Sequence, residues 1–121
     1  MLNKVHLQGR LTADPEKRMT NTGTPVTSFT LAVDRDYNRE EVDFINCVAW
    51  RNSADFVEKY FHKGDMMILT GRLQIRSYTD KSGNKRTASE VVVDNTYFGG
   101  SKKTAESKYE PLEEADDNLP F

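Results

Sequence analysis

Four aromatic residues lie in or beside strand-like segments and alternate with arginines. The aromatic residues are Tyr37, Phe44, Trp50 and Tyr78. The arginines around them are Arg35, Arg39, Arg51, Arg72 and Arg76. Flat rings stack on nucleobases of any sequence, while arginine and lysine neutralise the phosphates between them. If these side chains share a solvent-exposed face, the pattern predicts a surface for single-stranded nucleic acid.

Each of these rings could instead belong to the hydrophobic core, and the local pattern separates the two interpretations only in part. Tyr37 has only charged and polar neighbours, and Tyr78 lies between Arg76-Ser77 and Thr79-Asp80-Lys81. These two are therefore expected to be exposed. Four other aromatic residues lie on apolar faces and are predicted to be core: Phe29, Phe56, Tyr60 and Phe61.

The sequence offers little that could support catalysis. The two histidines, His6 and His62, are far apart, and no zinc-binding, phosphate-loop or nucleophile-elbow motif is present. We therefore expect a binding protein rather than an enzyme, with no metal and no cofactor.

Alternating hydrophobicity predicts three strands in the first half of the chain. They cover Val5–Leu11, Val26–Val33 and Val42–Trp50, with loop residues over 12–25 and an exposed hairpin loop over Asp34–Glu41. In the third strand, Phe44, Asn46, Val48 and Trp50 are expected on one face.

A helix and two more strands follow. Asn52 or Ser53 is predicted to cap the helix, and Gly64 lies just past its end. Its buried stripe is predicted to comprise Ala54, Val57, Tyr60 and Phe61. Met66–Tyr78 is a strand with a bend or bulge at Gly71, a polar turn covers 79–86, and Thr87–Asn95 is the last strand.

This order predicts a mainly all-β fold. The expected architecture is a five-stranded antiparallel OB-fold barrel with one helix between strands 3 and 4, plus a disordered C-terminal tail. A small β-sandwich is the alternative. A doubly wound α/β fold is disfavoured, because no second helix exists to cover a parallel sheet.

Composition divides the chain into three parts: a domain over 1–98, a disordered linker over 99–112 and an acidic partner-docking tip over 113–121. Residues 1–98 carry a net charge of +1 and residues 99–121 a net charge of −3, which gives −2 for the whole chain. Since DNA-binding domains tend to be basic, a nearly neutral domain would need several copies to build a strong electrostatic groove.

Localisation is expected to be cytoplasmic. The lone cysteine, Cys47, cannot form an internal disulfide, which fits a reducing compartment, and it is predicted to be a core residue. The first residues run into a strand pattern and are not expected to be a signal peptide, and no stretch is apolar enough to span a membrane.

Several short stretches occur in a diagnostic order. They are Asn3-Lys4-Val5, Gly9-Arg10-Leu11, Asp14-Pro15-Glu16 with Arg18, Thr30-Leu31-Ala32, Glu58–Gly64, Gly71-Arg72-Leu73, Tyr78–Gly83, Glu90–Val93 and Asp116–Phe121. Together they resemble the bacterial single-stranded DNA-binding protein family over nearly the whole chain.

The resemblance implies a site and its partners. Bases would stack on Tyr37, Phe44, Trp50 and Tyr78. Phosphates would meet Lys4, Arg10, Arg18, Arg35, Arg51, Arg72 and Arg76. The tip Asp116-Asp117-Asn118-Leu119-Pro120-Phe121 would recruit enzymes of DNA replication, recombination and repair, with the protein associated with the nucleoid.

Members of this family are usually homotetramers around which the DNA wraps. This chain departs from some relatives at Ile45, where they carry a histidine near the tetramer contact. Two rival interpretations stay open: another OB-fold module, such as a primosome subunit or an RNA-binding domain, and a protein-interaction adaptor whose barrel is only a scaffold.

Overall fold

The computed structural model describes residues 1–100, apart from the side chain of Arg39. The predicted tip and all but the first two residues of the predicted linker lie outside the described residues. The elements are β1 (Val5–Leu11), β2 (Glu16–Met19), β3 (Pro25–Arg35), β4 (Asn38–Trp50), α1 (Asn52–Tyr60), β5 (Met66–Thr79) and β6 (Lys85–Gly100).

Five of the six strands close into a barrel. The pairing order runs β1-β5-β6-β4-β3, and β1 pairs with β3 to complete the ring. The helix connects β4 to β5, the third and fourth barrel strands. This arrangement confirms the predicted OB-fold barrel. Four of its strand pairs are antiparallel, whereas β4 and β6 pair in parallel at Cys47–Val91 and Val48–Val92.

The core follows the inward positions of the barrel strands. Leu31, Cys47, Leu69 and Val91 are among the buried residues that pack there. Cys47 is confirmed as a core residue, and its burial raises the pKa of the thiol to about 12. The thiol is therefore protonated at neutral pH and is a poor nucleophile.

The helix covers one end of the barrel through a single apolar stripe. Ala54, Val57 and Phe61 are fully buried, as predicted. A buried hydroxyl ties the helix to the sheet, because Thr27 Oγ1 donates a 2.8 Å hydrogen bond to the carbonyl of Ala54. Since a buried hydroxyl without a partner is costly, this bond stabilises the helix against β3.

Two aromatic predictions for the helix were wrong. Phe56 and Tyr60 are 43% and 47% exposed, although both were expected in the core. They contact each other with ring centroids 4.9 Å apart, at the edge of the buried stripe. The nine-residue helix meets the barrel on one side, so only one stripe of side chains is fully buried. Ala54, Val57 and the following residue Phe61 occupy that stripe.

The start of the helix also differs from the prediction. Its N-cap is Arg51, with φ 56° and ψ −122° and no side-chain cap, rather than Asn52 or Ser53. The backbone N–H of Arg51 donates to the carbonyl of Pro25 at 2.9 Å. The turn from β4 into the helix thus combines this bond with a positive φ at Arg51.

Gly71 is the point where β5 bends, as predicted. The β5–β6 register shifts between Thr70 and Gly71. A Cβ at position 71 would lie 2.3 Å from the carbonyl oxygen of Val92, closer than two such atoms can come. Glycine is therefore required here by the close approach of two backbones.

The two predicted loops in the first half are shorter than expected. Residues Glu16–Met19, which lie inside the predicted loop over 12–25, form β2. This strand pairs with Pro25–Ser28 of β3. The predicted exposed loop over Asp34–Glu41 is mostly strand, with only Asp36 and Tyr37 in the turn between β3 and β4. No helix within residues 1–100 combines the length and apolar character needed to cross a membrane.

Candidate nucleic-acid interface

A groove of about 620 Å³ lies on the outer surface of the barrel. One wall comes from β2, β3 and β4, and the other from the β5–β6 hairpin. Three of the sequence-predicted site residues line it: Arg18, Trp50 and Arg76. The fold thus brings residues from three distant parts of the chain to one surface.

Strand alternation in β4 explains why its two aromatic rings face outward. Inward positions Cys47 and Ala49 are buried, so the even-numbered positions lie on the opposite face. Phe44 is 68% exposed and Trp50 is 44% exposed. Both are therefore available to a ligand, as the sequence pattern required.

Two cross-strand rows place a cation on the same face as each ring. Trp50 pairs with Val26, and Val26 pairs on its other side with Arg18. In the second row, Phe44 pairs with Ala32, which in turn pairs with Arg10. Directly paired residues point to the same face of a sheet, so Arg18 and Arg10 accompany the rings.

These two arginines have only neutral hydrogen-bond partners among residues 1–100. Arg18 Nη1 donates to Ser28 Oγ at 3.0 Å, and Arg10 Nη1 donates to the carbonyl of Gly64 at 3.0 Å. Neither guanidinium is neutralised by a carboxylate there, so both keep their charge available for a phosphate.

Tyr78 lies on the β5–β6 hairpin with its ring half exposed. The guanidinium carbon of Arg76 is 5.4 Å from the centroid of this ring, within the range of a cation–π contact. Arg72 lies on the same strand and pairs with Val92, whose side chain packs against Val48. Arg72 is therefore on the same face as the β4 rings.

Arg35 and Tyr37 are separated from this surface. Arg35 Nη2 and Nε bond the carboxylate of Asp43 at 2.9 and 3.2 Å, and its Nη1 bonds Glu41 and the Tyr37 hydroxyl. The bond to Asp43 is the main cause of a raised pKa for Arg35 and of a lowered pKa for Asp43. Asp43 pairs with Val33 on the inward side of β4, so Arg35 lies opposite Phe44. Tyr37 is 80% exposed in the turn.

The two remaining predicted cations, Lys4 and Arg51, do not line the groove. Lys4 Nζ is 3.6 Å from the Asp94 carboxylate, so its charge is partly compensated. Arg51 is exposed at the start of the helix, directly after Trp50.

The profile of the Single-strand binding protein family matches residues 2–99 of this chain. The chain belongs to that family.

Relatives from three bacteria agree with this assignment. A protein of Halalkalibacterium halodurans named single-stranded DNA-binding protein is 45% identical over 102 residues, which cover 81% of this chain and 61% of the relative. A Staphylococcus aureus protein named single-stranded DNA-binding protein 1 is 47% identical with the same coverage. A third, from Clostridium acetobutylicum, is 48% identical over 80% of this chain and 70% of its own length. The aligned part of this chain thus spans only 61% of the first two relatives.

In this single-strand binding protein family member, the groove contains polar residues that the sequence prediction missed. Thr30 Oγ1 bonds Asn46 Oδ1 at 3.1 Å on the groove floor, and Gln74 and Glu90 line the opposite wall. Asn46 lies on the same face of β4 as Trp50, and Gln74 lies on the same face of β5 as Arg76. Strand alternation was therefore a signal that could have identified both residues. Within residues 1–100, no group of three or more His, Cys, Asp or Glu side chains is arranged to hold a metal ion.

Proposed function

We propose that this protein binds single-stranded DNA with little sequence preference along the groove and the Phe44 face. The observation that carries the proposal is the row geometry, in which exposed rings at Trp50 and Phe44 share one face with Arg18 and Arg10. Base stacking on the rings and ionic contact with the arginines are the two interactions that such binding needs. Tyr78 with Arg76 extends the surface onto the hairpin, and Tyr37 would contribute least.

The geometry favours a single strand over a duplex. In a duplex the bases are stacked on one another, so their faces are closed to protein rings. In a single strand each base can leave its neighbours and stack on Trp50 or Phe44. Every base has such a face, which is why stacking discriminates poorly between sequences.

Tryptophan fluorescence during titration with oligo-dT tests this function. Trp50 is the only tryptophan in the chain, so quenching reports on the proposed site itself. We expect saturable quenching, an affinity at least about a hundredfold above that for duplex of equal length, and a steep loss of affinity with salt. Equal affinity for oligo-U would favour a general single-strand or RNA module, and absence of binding to oligo-dT at low salt would contradict the proposal.

We further propose that the protein acts as a homotetramer. A domain with a net charge of +1 releases few counterions by itself, whereas four domains pool their cations around one strand. Two exposed apolar residues, Leu73 and Ile75, continue the inward face of β5 beyond the barrel, where a second copy could cover them.

Light scattering of the free protein checks the tetramer. The expected mass is four times the 13.8 kDa of the chain at micromolar concentration. A Leu73→Lys, Ile75→Lys variant should shift the mass toward smaller species, and a Phe56→Lys variant on the helix serves as the control. A monomeric parent that still binds oligo-dT tightly would rule the tetramer out.

We propose finally that residues 113–121 recruit enzymes of DNA replication, recombination and repair. Four acidic side chains precede Leu119-Pro120-Phe121 in this segment. Leu119 and Phe121 would enter an apolar pocket, Pro120 would reduce the ordering cost, and the carboxylates would meet a basic rim.

A further inference from the structure

Three carboxylate residues line the groove, Asp14, Glu16 and Glu90, and among residues 1–100 only Glu90 forms an ion pair with an arginine of the groove. Glu90 lines it from β6, and its side chain is only 18% exposed. It pairs across the hairpin with Gln74, which also faces the groove. Since the phosphates of a strand are negatively charged, a fixed carboxylate on this wall opposes the binding that the arginines favour.

Glu90 has a defined partner in Arg76. Arg76 Nε donates to Glu90 Oε1 at 3.1 Å, while the same guanidinium lies 5.4 Å from the Tyr78 ring centroid. The Glu90 carboxylate and the Tyr78 ring thus both position the Arg76 side chain. Its charge is compensated before any strand arrives.

The other arginine that lines the groove differs in this respect. Arg18 bonds the neutral hydroxyl of Ser28 and, within residues 1–100, forms no ion pair. The two arginines stand on opposite walls of one groove. Asp14 and Glu16 also line the groove on the Arg18 side, but neither forms an ion pair with Arg18, whereas Glu90 pairs with Arg76.

We propose that Glu90 competes with the phosphates of the strand for Arg76 and thereby weakens binding and eases release. A phosphate that binds the Arg76 guanidinium must displace the Glu90 carboxylate from it. The mostly buried carboxylate then takes up a cation from solution, and this uptake offsets part of the counterion release that drives binding. The inference rests on the proposed function, because it assumes that a strand occupies the groove.

The variant Glu90→Gln tests the competition. The amide oxygen can still accept the bond from Arg76 Nε, so the substitution removes the charge and keeps the acceptor. We expect the affinity for oligo-dT to rise about tenfold at roughly 50 mM salt. The slope of log affinity against log salt should steepen by up to about 0.7, the value of one phosphate contact on a single strand.

Glu58→Gln is the matched control, because Glu58 is exposed on the helix outside the groove and the change in net charge is the same. It should alter neither the affinity nor the slope. Glu90→Ala, which removes the charge and the acceptor, should also tighten binding, and circular dichroism confirms the fold of each variant. Unchanged or weaker binding by both Glu90 variants would overturn the inference.

An Arg76→Ala background separates competition for Arg76 from simple repulsion. Without Arg76, Glu90→Gln should lose most of its gain in affinity. An equal gain in that background would show that Glu90 acts by repulsion alone and would overturn the proposal. Failure of the wild-type protein to bind oligo-dT in the same series would instead refute the proposed function, so the two failures are distinguishable.

Discussion

Replacement of Trp50 by alanine is expected to weaken binding of oligo-dT by about 5- to 150-fold, the equivalent of one base stack worth about 1–3 kcal/mol. Trp50 presents the largest ring on the groove wall, with Arg18 in the same cross-strand row. Alanine removes the stacking platform and leaves the phosphate contacts. Because the variant lacks the only tryptophan of the chain, binding is measured by the fluorescence anisotropy of a labelled oligonucleotide.

Phe56→Ala is a matched control for this variant. Phe56 is 43% exposed and Trp50 is 44% exposed, but Phe56 lies on the helix and does not line the groove. Its replacement should leave the affinity within about twofold, since no stack is lost. Trp50→Phe should keep most of the binding. A Trp50→Ala protein that folds and binds like the parent would show that the groove is not the stacking site.

Deletion of residues 113–121 is expected to abolish the capture of replication, recombination and repair enzymes by the immobilised protein. The same deletion should leave affinity for oligo-dT unchanged or slightly higher at low salt. The acidic side chains of the segment compete weakly with phosphates, and above roughly 0.1 M salt, where the Debye length is about 10 Å, screening should remove the difference.

Single substitutions locate the contact within this segment. Phe121→Ala should reproduce the loss of capture, because the apolar anchor is removed while every acidic side chain stays. Tyr109→Ala changes an aromatic residue of the same tail outside the tip and should retain capture. Partner capture that survives the deletion, or DNA binding that is lost with it, would mean that the role of the tip is wrongly assigned.

Several parts of the proposed DNA-binding surface could be anticipated because strand alternation is a local property. In β4, alternation predicts that Phe44 and Trp50 share one face and Cys47 and Ala49 the other, and the burial of Cys47 and Ala49 in the fold shows which face is exposed. The aromatic and arginine composition then indicated a nucleic-acid surface. Sequence pattern did not reveal that Glu90 enters the same groove, because a single glutamate on a strand is usually a solvated residue.

The role of Arg35 depended on packing rather than composition. In sequence it resembles the other arginines beside aromatic residues. In the fold, a register shift near Asp34 and the two-residue turn after it bring Arg35 onto Asp43 and Glu41, on the face opposite Phe44. Side-chain direction at a bulge cannot be read from alternation, since the bulge interrupts the two-residue period.

Sequence pattern alone predicted the approximate positions of the five barrel strands, the single helix, the glycine at the β5 bend and the shared face of Phe44 and Trp50, but it left open whether that face is exposed. Each depends on periodicity or on backbone freedom, which are local. That Glu16–Met19 is a strand depends on the fold, because its four exposed residues have no apolar pattern and are held by pairing with β3. The fold also decided the parallel β4–β6 pair and the meeting of Arg18, Trp50 and Arg76. These features join residues far apart in the chain, and only closure of the barrel brings them together.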